Sequence, residues 1–268
     1  LRRVAAVLVA IALVAGSLAV VWSASAPARQ LDSLRAEGPS QVVTENVDGT
    51  LGVLVIGDSM VEYLTPNLLN DQQALGMSAS VTSLVGCGAG GINTSAEDPG
   101  LTEGLVAACD RWLAGLPALV AETDPDVVLV VRVARRLPSE VTGGGDVCSD
   151  GYRQWYRQAL IDEIGQLAAT GATVAMTTAV YNRFGDASVS AWDDSVDCAN
   201  EELRAAAEAT GAKVVELGAW TCPTHDTCRT TTGDGVELRP DGVHFSGPGG
   251  SVALAWILEQ VRAQVQGR

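Results

Sequence analysis

Two spacings of apolar residues alternate along most of the chain. Short runs rich in Val, Leu, Ile and Thr are separated by longer stretches where apolar positions recur every three or four residues. The runs predict strands at Leu51–Ile56, Ser78–Val85, Asp126–Val133, Ala172–Ala179 and Lys213–Leu217. The longer stretches predict helices at about Met60–Leu75, Leu101–Glu122, Tyr152–Ala169, Ala191–Thr210 and Gly249–Val265, with Gly171 and Gly211 stopping two of them. Five strands alternating with helices predict an α/β domain over 50–268, built on a parallel sheet with both faces covered. Such sheets bind ligands beyond the carboxyl ends of their strands, where strand order reverses.

The first 49 residues break this pattern. Arg2 and Arg3 precede an uncharged run from Val4 to Trp22, whose 19 residues reach the roughly 18–20 that cross a bilayer as a helix. A cleaved signal peptide usually has a shorter apolar core, of about 7–15 residues, yet Ala24-Ser25-Ala26 also resembles a cleavage site. Residues 1–26 therefore read as a membrane anchor or a signal segment, the length favouring the anchor. Residues 27–49, polar and broken by Pro27, Gly38, Pro39 and Asp48-Gly49, read as a stalk. On either reading the arginines stay inside and residues 30–268 lie outside the cytoplasm.

Composition narrows the partners. With 17 Lys+Arg against 32 Asp+Glu, the formal charge is −15, and such a surface repels phosphate backbones, so no nucleic-acid partner is expected. Six cysteines fit an oxidising compartment. Cys222 and Cys228 bracket "CPTHDTC", a short loop that a disulfide can close. Cys87 and Cys109 flank another irregular stretch, and Cys148 and Cys198 remain, with other pairings left open. No CxxC or HxxxH spacing is present and no P-loop follows a strand, so neither a metal nor a cofactor is expected.

The chemistry concentrates at the two ends of the domain. The first strand runs into Gly57-Asp58-Ser59, at the sheet's carboxyl edge. Either Asp58 or Ser59 is a helix cap there, or Ser59 is a nucleophile. Near the last helix the chain reads "RPDGVHFSGPGG", with Asp241 three residues before His244. A serine nucleophile needs a base within hydrogen-bond reach and an acid to fix that base's tautomer, and Asp-x-x-His on one loop can supply both. The other histidine, His225, sits inside the small cysteine loop and reads as a surface residue. The GxSxG elbow of the α/β-hydrolases is absent, so the nucleophile needs another geometry.

Strand–GDS–helix at the start and DGVHF–helix at the end together resemble the SGNH, or GDSL-like, hydrolase family over residues 50 to 265. The resemblance implies a flavodoxin-like three-layer α/β/α sandwich with a five-stranded parallel sheet. It also implies a Ser59–His244–Asp241 triad acting on an acyl carbonyl. In that family the oxyanion donors are the serine N–H, a glycine after the second strand and an asparagine after the third. Gly88, Gly90 and Gly91 are all candidates for the glycine, but "RVARRLPSE" holds no such asparagine. Losing a donor of this kind costs about 10²–10³ in rate unless something replaces it. Arg132 and Arg135, with Arg136 beside them, are candidates for a replacement donor or for substrate binding, against the plain reading of a solvated basic cluster.

"CDRWL", "DPDVVLVV", "ELRPDGVHFSGPGG" and the "TCPTHDTC" loop look like the extracytoplasmic SGNH domain attached to membrane acyltransferase-3 proteins of actinobacteria. That resemblance implies an esterase or O-acyltransferase working on acylated cell-surface glycan or lipid. The alternative is a degenerate SGNH domain that binds glycan or docks a partner, for which the missing asparagine speaks and the retained Ser, His and Asp speak against.

Overall fold

The computed structural model describes residues 39–92, 99–134, 148–183 and 193–266. The expected anchor at 4–22, Arg135 and Arg136 lie outside the described residues. The elements are β1 Ser40–Val42, β2 Leu51–Gly57, α1 Ser59–Asp71, β3 Met77–Ser83, β4 Cys87–Gly88, β5 Gly91–Ile92, α2 Pro99–Thr123, β6 Val127–Val131, α3 Asp150–Leu167, β7 Thr173–Thr177, α4 Asp193–Thr210, β8 Lys213–Val215, α5 Leu217–Thr221 and α6 Gly247–Gln266. The main sheet has the order β1-β3-β2-β6-β7-β8. Neighbouring strands from β3 through β2, β6 and β7 to β8 are all parallel, and β1 adds antiparallel to β3.

Strand β2 shows why both faces are covered. Val53 and Val55 point to one side, into a core shared with Met60, Leu64 and Leu68 of α1 and Leu254, Ile257 and Leu258 of α6. Leu54 and Ile56 point to the other, against Trp112, Leu116 and Val120 of α2 and Leu160 and Ile164 of α3. A strand with two apolar faces reads as an unbroken run, which is what a parallel sheet between helix layers demands. The same burial explains the apolar character of α2: Cys109, Trp112, Leu116 and Val120 face the sheet while Asp110, Arg111 and Glu122 are exposed.

The sheet has six strands rather than the five expected, because part of the expected stalk belongs to the domain. Ser40, Gln41 and Val42 pair with Ser83, Thr82 and Val81. Beyond them the Thr44 and Val47 N–H groups donate to the hydroxyls of Ser80 and Ser78, at 3.0 and 2.9 Å. These residues cover the exposed edge of β3, a common way to blunt a sheet edge. Strand order reverses between β2 and β6, since the chain leaves β2 for β3 on one side and crosses back to β6 on the other. Gly57 lies at that point, paired with Val131. A Cβ there would stand 2.0 Å from the Val131 carbonyl oxygen and 2.4 Å from Val61 Cγ2, so only glycine lets the strand ends approach this closely.

Three disulfides join Cys87 to Cys109, Cys148 to Cys198 and Cys222 to Cys228. The first pins the β4–β5 hairpin, whose sequence suggests only a loose glycine loop, onto α2.

Candidate active site

The turn after β2 shows which of the two residues caps the helix. Asp58 is the N-cap of α1: its Oδ1 accepts the Met60 N–H at 2.9 Å, and its backbone carbonyl accepts from Val61 and Glu62. Its other carboxylate oxygen accepts the Val133 N–H at 3.0 Å, which ties the turn to the segment leaving β6. Burial pushes the Asp58 carboxyl above its ordinary value, opposed by these two backbone donors and the nearby Arg132 charge. With the cap filled by a carboxylate, the Ser59 hydroxyl is not taken up by the helix end.

It faces His244. Ser59 Oγ lies 2.9 Å from His244 Nε2, across 185 positions of sequence. On the far side of the imidazole, Nδ1 lies 2.6 Å from Asp241 Oδ2. The loop that carries both residues is shaped by Asp241 itself, whose Oδ1 accepts the N–H groups of Val243 and His244 at 2.8 and 2.7 Å. This is the local side-chain-to-backbone bonding that Asp favours in turns. Gly242, at φ +78°, completes the turn, and its carbonyl accepts the Arg183 N–H at 2.8 Å. Val243 and Phe245, both buried, anchor the loop in the core on either side of His244. Burial alone would raise the Asp241 carboxyl. The His244 ring bond and the two backbone donors outweigh it and hold Asp241 down at about 2.

The three candidate glycines part company. Gly88 is buried on β4, and a Cβ there would meet the Arg132 side chain at 3.1 Å, so it lies beside the residue that follows β6. Gly90, at φ +76°, packs against the Trp155 ring, where a Cβ would come within 2.4 Å. Gly91 faces open space. Of the three, Gly88 alone adjoins the carboxyl end of β6.

Arg132 is not a solvated cation but a buried, paired one. Its Nη1 and Nη2 both donate to Glu163 of α3 at 2.7 Å, a bidentate pair with side chains 11% and 8% exposed. Burial works against the guanidinium charge, but Glu163 prevails and raises Arg132 above its ordinary value.

His225 is bound more firmly than a surface residue. Its Nε2 lies 2.7 Å from Asp197 Oδ2, and the Tyr181 hydroxyl donates to the other Asp197 oxygen at 2.5 Å. The Asp197 bond, opposed by desolvation, raises the His225 imidazole above its ordinary value. Asp194, Asp197 and His225 bring ligand-type atoms within 4.8 Å of one another, the one such His/Cys/Asp/Glu grouping among the described residues. Arg183 joins this cluster to the triad loop: its guanidinium pairs with Asp193 and its Nη2 donates to the His225 carbonyl at 2.6 Å. Arg239, 6% exposed, donates to the Tyr181 carbonyl, and burial together with the neighbouring Arg183 charge lowers it to about 10.

Sequence reasoning missed Tyr63, whose ring stacks on His244 with centroids 4.1 Å apart and planes 8° from parallel. One signal was available: Tyr63 follows Ser59 by four positions on α1 and so shares its helix face.

Three comparisons with known proteins bear on this geometry. A family model described as an SGNH domain fused to AT3 domains matches residues 30–255. No curated protein matches the chain. Among solved structures, a GDSL-like lipase from Bacteroides thetaiotaomicron is similar over 89% of this chain and 96% of its own, at 12% identity and a TM-score of 0.51. A lipase/acylhydrolase from Enterococcus faecalis is similar over 80% and 97%, at 14% identity and a TM-score of 0.50. A catalytic mutant of an acetylxylan esterase from Geobacillus stearothermophilus is similar over 81% and 95%, again at 14% and 0.50. At such identities the likeness is one of fold.

Proposed function

The chain belongs to the SGNH domain family found fused to AT3 domains, and from that premise we propose that it is an extracytoplasmic serine esterase or O-acyltransferase. Its substrates are acyl esters of cell-surface carbohydrate or lipid, the substrate class that a domain kept with a membrane acyltransferase meets. The observation that carries the reading is the unbroken path Ser59–His244–Asp241, with bonds of 2.9 and 2.6 Å.

Ser59 Oγ attacks the ester carbonyl carbon while His244 Nε2 takes its proton. Asp241 holds Nδ1–H and so keeps Nε2 free to accept. The oxyanion of the tetrahedral intermediate takes hydrogen bonds from the N–H groups of Ser59 and Gly88. Collapse expels the alcohol, which leaves with the proton from Nε2, and an acyl group stays on Ser59. Water, or a second hydroxyl, then gives its proton to Nε2 and attacks the acyl-serine, releasing acid or a new ester. Arg132, Val133 and Ala134 follow β6, where the family has its asparagine, and Arg132 is committed to Glu163, so two backbone donors carry the oxyanion. A slower enzyme is the expected consequence.

Pairing of all six cysteines supports an oxidising, extracytoplasmic setting, and attachment to the membrane through residues 4–22 is part of the same proposal. The test is a fluorophosphonate probe, which labels activated serines. The expected result is an adduct on Ser59, located by mass spectrometry and absent in His244→Ala. A folded, oxidised protein that takes no probe would overturn the esterase reading and leave a glycan-binding domain in its place.

A further inference from the structure

We propose that Tyr63 is a positioning residue of the acyl-transfer reaction, stacking on His244 to fix the imidazole and to stabilise the charge it gains; this role rests on the esterase reading. Ser59 and Tyr63 sit four residues apart on α1, so one helix face presents both a hydroxyl and an aromatic ring. His244 lies across that face. Its Nε2 meets Ser59 Oγ at 2.9 Å, and its flat side meets the Tyr63 ring at 4.1 Å, 8° from parallel. Asp241 grips the opposite edge at 2.6 Å. The imidazole is thus held at both nitrogens and on one face, and rotation of the ring would break all three contacts.

The stack also discriminates between protonation states. When His244 takes the Ser59 proton it becomes an imidazolium lying over the π face of Tyr63, inside the roughly 6 Å at which such faces attract cations. Before that step the imidazole is neutral and the attraction is weaker. An interaction that strengthens as the charge develops lowers the barrier rather than merely tightening substrate binding. Asp241 acts in the same sense but is 43% exposed, so water screens it, whereas the stack covers the ring directly. Burial and the Asp241 charge raise the Tyr63 hydroxyl above its ordinary value, which keeps the ring neutral at working pH. The other histidine shows that stacking is not forced on a Tyr–His neighbour: Tyr181 meets His225 edge-on, at 82°.

The experiment compares Tyr63→Phe, Tyr63→Leu and Tyr63→Met with the unmodified protein. It measures kcat and KM on p-nitrophenyl acetate, the rate of fluorophosphonate labelling at Ser59, and Tm. Phe keeps the π face, and the aliphatic pair keeps bulk without it. The expected result is a loss of about tenfold in kcat for Leu and Met, with KM and Tm little changed and Phe within about twofold of the parent. If Tyr63 only fills space, the aliphatic variants match the parent instead. Parent-like kcat in the Leu and Met variants, or a Phe variant as slow as they are, overturns the role of Tyr63 while the parent's labelled Ser59 leaves the esterase reading standing. A parent protein that neither turns over the ester nor takes the probe overturns both.

Discussion

Replacing Asp241 by Asn removes a charge, keeps the shape and forces a choice between two amide orientations. Asp241 makes three bonds with two oxygens: Oδ1 accepts two backbone N–H groups and Oδ2 accepts His244 Nδ1–H. An asparagine has one oxygen. Left facing the backbone, it satisfies both loop donors and turns its NH2 toward Nδ1. Nδ1 must then be the acceptor, and the imidazole proton moves to Nε2. In that tautomer Nε2–H donates to Ser59 Oγ and cannot take its proton. Turning the amide round would restore the tautomer but set an NH2 against two N–H groups, which costs about 1–3 kcal/mol for each donor left unpaired.

Both arrangements cost activity, and the first keeps the loop intact. Loss of the correct tautomer in a serine triad is worth about 10⁴ in rate, or about 5 kcal/mol of barrier. Water can reach Asp241, whose side chain is 43% exposed, and can partly relieve the misorientation. A loss of roughly 10³ in kcat/KM is therefore expected, with Tm within a few degrees of the parent. The assay is p-nitrophenyl acetate turnover alongside thermal unfolding. An Asp241→Asn protein that folds normally and keeps more than about a tenth of the parent rate would refute the assignment of Asp241 as the orienting acid.

Contacts elsewhere in the domain set further expectations. Gly57→Ala drives a methyl into the Val131 carbonyl and Val61, so β2 and β6 must part; a loss of about 2–3 kcal/mol or a failure to fold is expected in denaturant titrations, and parent-like stability would mean the strand ends yield easily. The Cys148–Cys198 bridge spans 50 residues and Cys222–Cys228 only 6, which chain entropy converts to about 4 against about 2 kcal/mol. Paired Cys→Ala variants should lose Tm in that order, and the reverse order would show that the small loop is held by more than closure. His225 has its folded value raised by Asp197, so its contribution is complete below the ordinary imidazole range and fades as pH rises through the raised value. The stability difference between the parent and His225→Gln should accordingly be larger at pH 5 than at pH 9, and a difference that grows with pH would contradict the ion pair.

Most of the sheet was legible because strands buried on both faces leave an unbroken apolar run, as at Val53–Ile56 and Val127–Val131. Elements that depend on a partner for their polarity were not. Strand β1 has only three residues, and nothing in "SQV" announces that Ser78 and Ser80 wait to accept the backbone N–H groups just beyond it. The hairpin of β4 and β5 pairs only Cys87 with Ile92 and Gly88 with Gly91, and reads as flexible until Cys87 is joined to Cys109. Helix α5, with five residues, is too short for any periodicity to show.

At the site, chemistry at fixed positions along the chain could be read: a serine after the first strand, and an acid three residues before a histidine. The division of labour between adjacent residues could not. "DS" at a strand–helix turn offers two caps for one helix, and sequence leaves the choice open. Charge settles it. A carboxylate accepts N–H groups more strongly than a hydroxyl, and Asp58 has two oxygens for two donors, Met60 and Val133, that no single hydroxyl could reach. The same reasoning accounts for Arg132. A guanidinium near the buried Asp58 carboxyl cannot stay in a basic cluster once Glu163 comes within reach on α3, because an unpaired charge at that depth is costlier than the pair. The residues proposed to carry the chemistry were therefore visible as letters, while the cap made by Asp58, the stack of Tyr63 on His244 and the pairing of Glu163 with Arg132 became visible only in the fold.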